Sequence, residues 1–198
     1  MDTPVNLTQS SAAPGQPSSV RRQVRGWARD LVIAMGLAMV IVIFLYQPVK
    51  VEGTSMAPLL NDQERIFINK FVYHFGPVAR GDIVVFWYPK DPSKSFIKRV
   101  IALPGEVVEG RNGQVYINGQ LLPEPYVRPE YADRTSFGPL RVPEGQYFLL
   151  GDHRSSSNDS RMFGPVEERF IYGKAVFAYW PVSRMGTIPA YATDGADD

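Results

Sequence analysis

Two residues of this chain could do hydrolytic chemistry together without a histidine: Ser55, in Gly53-Thr54-Ser55-Met56-Ala57-Pro58, and Lys98, in Phe96-Ile97-Lys98-Arg99-Val100. A serine hydroxyl is a weak nucleophile at neutral pH. A lysine amine can serve as its base only when burial and neighbours make it neutral. At the usual pKa of about 10.4, roughly one lysine in two thousand is neutral at pH 7, and a fall of about two units raises that to near a tenth. Strand alternation puts Phe96, Lys98 and Val100 on one face and Ile97, Arg99 and Ile101 on the other, so Lys98 has apolar neighbours on its own side. Taken alone, Lys98 reads better as a strand-edge lysine whose stem packs and whose head reaches water.

Ser55 follows Gly53 and Thr54 and precedes Pro58, where a flexible glycine enters a bend and a proline ends local pairing. Such a loop could present both the hydroxyl and the amide of Ser55, as a nucleophile needs if its own N–H is to hold a developing oxyanion. An ordinary turn serine has the same local sequence. A third polar run, Gly151-Asp152-His153-Arg154-Ser155-Ser156-Ser157-Asn158-Asp159-Ser160-Arg161, directly follows the apolar Tyr147-Phe148-Leu149-Leu150. It reads either as a solvated loop with local ion pairs or as a scaffold whose hydroxyls and charges orient Lys98. A triad of Ser55, His153 and Asp152 ranks below the lysine pairing. Adjacent side chains on an extended strand point to opposite faces, which makes an Asp152–His153 hydrogen bond awkward.

Something must carry these segments. From Leu31 to Tyr46 the chain runs LVIAMGLAMVIVIFLY without a charge, about 24 Å as a helix. Trp27, Ala28 and Gln47 at the flanks, with Arg29 snorkelling, extend it toward the roughly 20 residues a bilayer core requires. A run that is apolar on all sides favours a membrane helix over a core helix. Arg21, Arg22, Arg25 and Arg29 precede it and only Lys50 follows closely, which predicts a cytoplasmic N-terminus. No small-x-small cleavage site follows in Gln47-Pro48-Val49-Lys50-Val51, so the segment reads as an uncleaved signal anchor.

The expected organisation is a disordered cytoplasmic tail over 1–20, a basic flank and anchor over 21–48, an outer domain over 49–185 and a flexible tail over 186–198. The outer domain is predicted to be mostly β. Its strands are Arg65–Asn69, Asp82–Tyr88, Ser95–Ala102, Glu106–Glu109, Gln114–Asn118, Gln146–Gly151 and Lys174–Trp180. Asn118-Gly119 marks a type I′ hairpin. Residues 123–143, rich in proline and charge, read as a loop or small sub-domain.

Composition removes several functional classes. The chain has 198 residues, 21 Lys plus Arg against 20 Asp plus Glu, and no cysteine. Near-neutral charge argues against a nucleic-acid binder, and the lack of cysteine removes disulfides, thiolate nucleophiles and cysteine-bound zinc. His74 and His153 stand in no metal-binding spacing, so neither metal nor cofactor is expected.

Four ordered segments, Ser55-Met56-Ala57-Pro58-Leu59-Leu60, Arg80-Gly81-Asp82-Ile83-Val84-Val85-Phe86, Lys98-Arg99-Val100-Ile101-Ala102-Leu103-Pro104-Gly105-Glu106 and Gly151-Asp152-His153-Arg154 through Asp159-Ser160-Arg161, follow the apolar run. In that order they resemble the type I signal peptidases, membrane-bound serine endopeptidases that remove signal peptides from exported preproteins. The resemblance spans most of residues 21–181 and implies a signal-peptidase-like β domain behind a single transmembrane helix.

It implies Ser55 as nucleophile and Lys98 as general base, with Met56 packed near the lysine stem and Ser157 hydrogen-bonded to its amine. Asp159, Arg161, Asp152 and Arg99 match charged residues that brace the site. Two departures stand out: Gly53, where some members carry a serine that completes the oxyanion hole, and Leu59 in place of a common threonine. His153 stands where many members have asparagine. The implied partners are signal peptides, bound as extended strands with small residues one and three positions before the cut, and a lipid bilayer. Edge-strand pairing by Val51–Thr54 and part of Phe86–Tyr88 would supply the backbone contacts, and Phe86 and Trp87 could meet the lipid surface or pack in the core. The implied location is a bacterial plasma membrane, with a photosynthetic internal membrane as the other candidate. Two rivals remain: a self-cleaving serine-lysine peptidase, and a membrane-tethered non-catalytic module that grips extended peptides.

Overall fold

The computed structural model describes residues 18–191. The chain divides into two units, Met1–Val42 and Ile43–Asp198. Of the tail expected over 1–20, residues 1–17 lie outside the described residues, as do residues 192–198 at the other end.

The first element is helix α1 (Ser18–Leu45). Leu31, Val32, Ile33, Met35, Leu37, Met39 and Val40 are all exposed along it, and Arg29 pairs with Asp30 at 2.9 Å in solvent. The apolar run leaves the helix before Tyr46, which opens a strand, because Pro48 lacks an amide donor and biases its predecessor toward extended backbone. About 15 uncharged residues therefore remain helical, about 22 Å against a hydrocarbon core of about 30 Å. Among the described residues no helix is long and apolar enough to cross a membrane. The expected spanning anchor is thus shorter as a helix than as a sequence.

The remaining elements are β1 (Tyr46–Lys50), β2 (Arg65–Asn69), α2 (Val72–Phe75), β3 (Ile83–Tyr88), β4 (Asp91–Ala102), β5 (Val107–Arg111), β6 (Gln114–Ile117), β7 (Gln120–Leu121), β8 (Phe137–Arg141), β9 (Gln146–Leu150), α3 (Ser160–Phe163), β10 (Val166–Glu167), β11 (Ile171–Trp180) and β12 (Gly186–Thr187). The domain is mostly β, as its short alternating runs predict. An 8-stranded sheet runs β1-β2-β11-β3-β4-β9-β10, with β12 on β11, and a 4-stranded sheet runs β7-β6-β5-β8. All strand pairings among the described residues are antiparallel, and β1 is an edge. Asn118 and Gly119 both have positive φ, 51° and 82°, which gives the expected tight hairpin between β6 and β7.

Burial follows strand position. In β2 only Ile66 and Ile68 are sealed, the alternation of a strand with one covered face. In central β3, Ile83 through Phe86 are all buried, because both faces are covered. Phe86 is therefore core, packed edge-on against Phe96, while Trp87 is partly exposed and stacks on Tyr172. Val108, Val115, Ile117 and Val142 of the smaller sheet's region pack with Ile101, Phe148 and Leu150 of the larger one.

One sequence reading gains detail and another changes. Within residues 123–143, read as a loop or small sub-domain, Phe137–Arg141 is strand β8 and pairs with β5; the proline-rich composition hid that strand. The segment from Gly186 to Tyr191, expected as flexible tail, is docked. Gly186 and Thr187 pair with β11, Ile188 is buried with its N–H on Val176 O, and the Tyr191 ring lies 5.5 Å from Tyr126.

Candidate active site

Ser55 lies in the loop between β1 and β2. Both neighbouring apolar side chains, Met56 and Leu60, are 1 % exposed in the cluster with Ile66, Ile68 and Ile83. Burial of each is worth about 1.5–3 kcal/mol, enough to pin the loop on the core and leave Ser55 at its rim. Gly53 enters the bend at φ 90°, a region costly for other residues, and its N–H donates to Asp62 Oδ1 at 2.8 Å. Turn bonds from Ala57 N–H to Thr54 O and from Leu60 N–H to Met56 O, each 2.9 Å, close the loop. The Ser55 N–H has no acceptor among the described residues.

Lys98 comes from the middle of β4, opposite Val84 of β3. It is 4 % exposed, and its Nζ lies 5.5 Å from the centre of the Phe96 ring. Its Nζ donates to Ser55 Oγ at 2.7 Å and to Ile97 O at 2.9 Å. No carboxylate among the described residues is bonded to it. Burial pulls the Lys98 ammonium down to about 8, against a weaker raising pull from Asp159 and Asp152. The pair lines a cleft of about 480 Å³ walled by Val49–Ser55 on one side and Ser95–Ile97 on the other, with Ser156 and Asn158 at its margin. Phe86–Tyr88, expected to help form the peptide-binding edge, does not line it.

The third segment packs beneath the serine. Gly151 is required there by close approach: a Cβ on it would fall 2.4 Å from Ser55 O and 2.3 Å from Ser157 Oγ. Asp152 is fully buried and forms a two-pronged pair with Arg99, at 2.8 and 2.7 Å. Arg99 also donates to Gly81 O at 3.0 Å and lies 3.9 Å from the centre of the Tyr126 ring. Burial pushes the Asp152 carboxyl up, and the Arg99 guanidinium pulls it back. Asp159 begins α3; it accepts from Gly151 N–H at 3.2 Å and from Arg161 Nε at 2.8 Å. Arg161 also reaches Arg154 O and Asp133.

One expectation needs correction. Ser157 does not reach the lysine amine: its Oγ is buried without a hydrogen-bond partner, because the amine turns to Ser55 and Ile97 O. Nor does any triad assemble. His153 donates its backbone N–H to Ser55 O, sets Nδ1 3.2 Å from Thr54 O and rests edge-on against Tyr131, while Asp152 is taken by Arg99. Among the described residues no group of His, Cys, Asp and Glu could hold a metal ion.

The structure also adds residues that the motifs alone do not single out. Arg154 is buried against Glu124 and donates to Gly151 O at 3.0 Å, Ser160 Oγ accepts from Leu149 N–H at 2.9 Å, and Asp133 completes the Arg161 pair. Arg154 and Ser160 lie within the polar run. Glu124 and Asp133 lie in the proline-rich segment, where nothing local marks them.

The family model of signal peptidase, peptidase S26, matches residues 24–180. A signal peptidase I of Bacillus amyloliquefaciens is 40 % identical over 87 % of this chain and 95 % of its own length. Signal peptidase I S of Bacillus subtilis is 38 % identical over 84 % and 95 %, and a probable signal peptidase I-1 of Synechocystis is 40 % identical over 81 % and 85 %. A crystal structure of a signal peptidase I from Enterococcus faecalis, 37 % identical, covers 50 % of this chain and 97 % of its own, with a TM-score of 0.44. This chain therefore belongs to the signal peptidase family, peptidase S26, and is a serine endopeptidase.

Proposed function

We propose that the chain removes signal peptides from exported preproteins through a Ser55/Lys98 dyad. One observation carries the reading: a buried amine drawn down to about 8, bonded at 2.7 Å to a serine hydroxyl and to no carboxylate. At pH 7 about one such amine in ten is neutral. The neutral amine takes the Ser55 proton while Oγ attacks the scissile carbonyl, and the Ser55 N–H meets the developing oxyanion. Gly53 is unavailable as second donor, since its N–H is committed to Asp62. The lysinium then protonates the leaving amine, and in the second half Lys98 activates water against the acyl-enzyme. The edge strand β1 and its continuation through Thr54 flank the cleft, which suits a substrate laid down as one more strand.

The reading includes attachment to a lipid bilayer by α1, with the N-terminus cytoplasmic, the peptidase domain outside and a bacterial plasma membrane as its place. Its exposed apolar side chains and the about 22 Å of uncharged helix from Leu31 to Leu45 support this. Resistance of the full chain to alkaline extraction from membranes tests that part.

Cleavage is tested with the purified full chain in detergent and a preprotein bearing an Ala-x-Ala site, with mass spectrometry of the products. Wild type is expected to cut after the second alanine and Lys98→Ala to leave the preprotein intact. Cutting by Lys98→Ala would end the dyad, and no cutting by a folded wild type would favour a peptide-gripping module.

A further inference from the structure

Arg184 stands far from Ser55 in sequence, in the 3-10 turn Val182–Arg184 that follows β11. Its side chain nevertheless ends on the loop that carries the serine. Nη2 donates to Pro58 O at 2.8 Å and to Leu59 O at 3.0 Å, while Nε pairs with the Glu64 carboxylate. Turn bonds close the loop over Thr54–Leu60, and Arg184 holds the Pro58 and Leu59 carbonyls at its far end. At its other end stands the Ser55 N–H.

Glu64 explains why an arginine is held there. Its carboxylate is 2 % exposed and accepts from Asn61 Nδ2 at 3.0 Å, and its backbone carbonyl takes the Val51 N–H at 2.7 Å. A buried carboxylate needs a counterion, and Arg184 is the cation that reaches it. The two legs of the loop and Arg184 are therefore joined at one residue. Burial of Met56 and Leu60 fixes how deep the turn sits, and the two carbonyl bonds hold its rotation about those anchors. Arg184 does not line the substrate cleft.

We propose that Arg184 is a positioning residue for the peptidase reaction: by holding the Pro58 and Leu59 carbonyls from Glu64, it aims the turn that presents Ser55 to Lys98. This rests on the reading of Ser55 and Lys98 as the reacting pair. A small displacement of a nucleophile costs turnover steeply, and binding in a cleft that Arg184 does not touch is spared.

The test is steady-state cleavage of the preprotein by the full-length wild type, Arg184→Ala, Arg184→Lys and Lys98→Ala, with pH profiles and thermal unfolding of each. Arg184→Ala is expected to lower kcat about ten- to hundredfold at a KM within about twofold, keeping the acid limb near pH 8. Arg184→Lys should recover part of the loss, because an ammonium can still donate to those carbonyls. A kcat within about twofold of wild type overturns the inference, as does a loss fully explained by a smaller folded fraction at the assay temperature. An inactive Lys98→Ala beside a fully active Arg184→Ala overturns this inference alone. An active Lys98→Ala overturns the dyad and this inference with it.

Discussion

Lys98 and Arg99 are consecutive residues of β4, both cations and both buried, yet their surroundings differ in kind. Arg99 faces a carboxylate that matches its fork, a carbonyl and an aromatic ring. Lys98 faces a hydroxyl, a carbonyl and a phenylalanine. A buried cation with its counterion stays ionised and holds structure; one without it is driven toward the neutral form and can take a proton. One strand thus places a paired cation and an unpaired one on opposite faces, and on the proposed reading the first braces the domain and the second serves as base.

The sharpest way to break the comparison is to remove the unpaired cation. Lys98→Met is expected to lower the cleavage rate at least about a thousandfold while making the fold more stable at pH 7. The sign follows from linkage. Burial lowers Lys98 from 10.5 to about 8, so between those values the unfolded chain binds more protons than the folded one. The penalty, of the order of 3 kcal/mol, is complete below pH 8 and fades as pH rises to 10.5. Urea unfolding should show a stability gain for Lys98→Met at pH 7 that shrinks toward pH 10.5. Equal stability at pH 7 would mean that the amine carries no burial penalty.

On the other face the same logic reverses. Asp152→Asn leaves the Arg99 charge sealed without its carboxylate and should cost about 3–5 kcal/mol in chemical denaturation. The double variant Arg99→Met, Asp152→Leu should recover most of that. A loss under about 1 kcal/mol for the single variant would show that the pair does not brace the domain.

Two smaller effects sharpen the contrast. The cleavage rate should fall about fivefold between pH 8 and pH 7, as the neutral fraction of Lys98 falls; a rate flat across that interval would disconnect the amine from the reaction. His153→Asn should change the rate by less than about twofold and leave the profile unmoved, since the imidazole bonds to Thr54 O and not to the Ser55 hydroxyl. A lost limb in that variant would reinstate the histidine.

Residue types and order alone carried much of this. The alternation around Lys98, the bend at Gly53 and the Asn118-Gly119 hairpin are local patterns with local causes, and each is where the sequence puts it. Three other features depend on contacts that no local pattern shows. Strand β8 needed β5 as a partner before its proline-rich sequence could pair, and the Gly186–Tyr191 segment needed β11 and Tyr126 to dock on. The hydroxyl of Ser157 had its direction set by packing.

By itself the sequence determined a mostly β domain behind a basic, apolar helix, a family, and the serine and lysine within it. Only the tertiary structure decided that Lys98 loses water without gaining a carboxylate, that His153 turns to a backbone carbonyl, and that Glu124, Asp133 and Arg184 reach the site from distant segments. Periodicity reports what each residue needs from its immediate neighbours. Desolvation and pairing depend on side chains brought together across strands, and no local pattern specifies them.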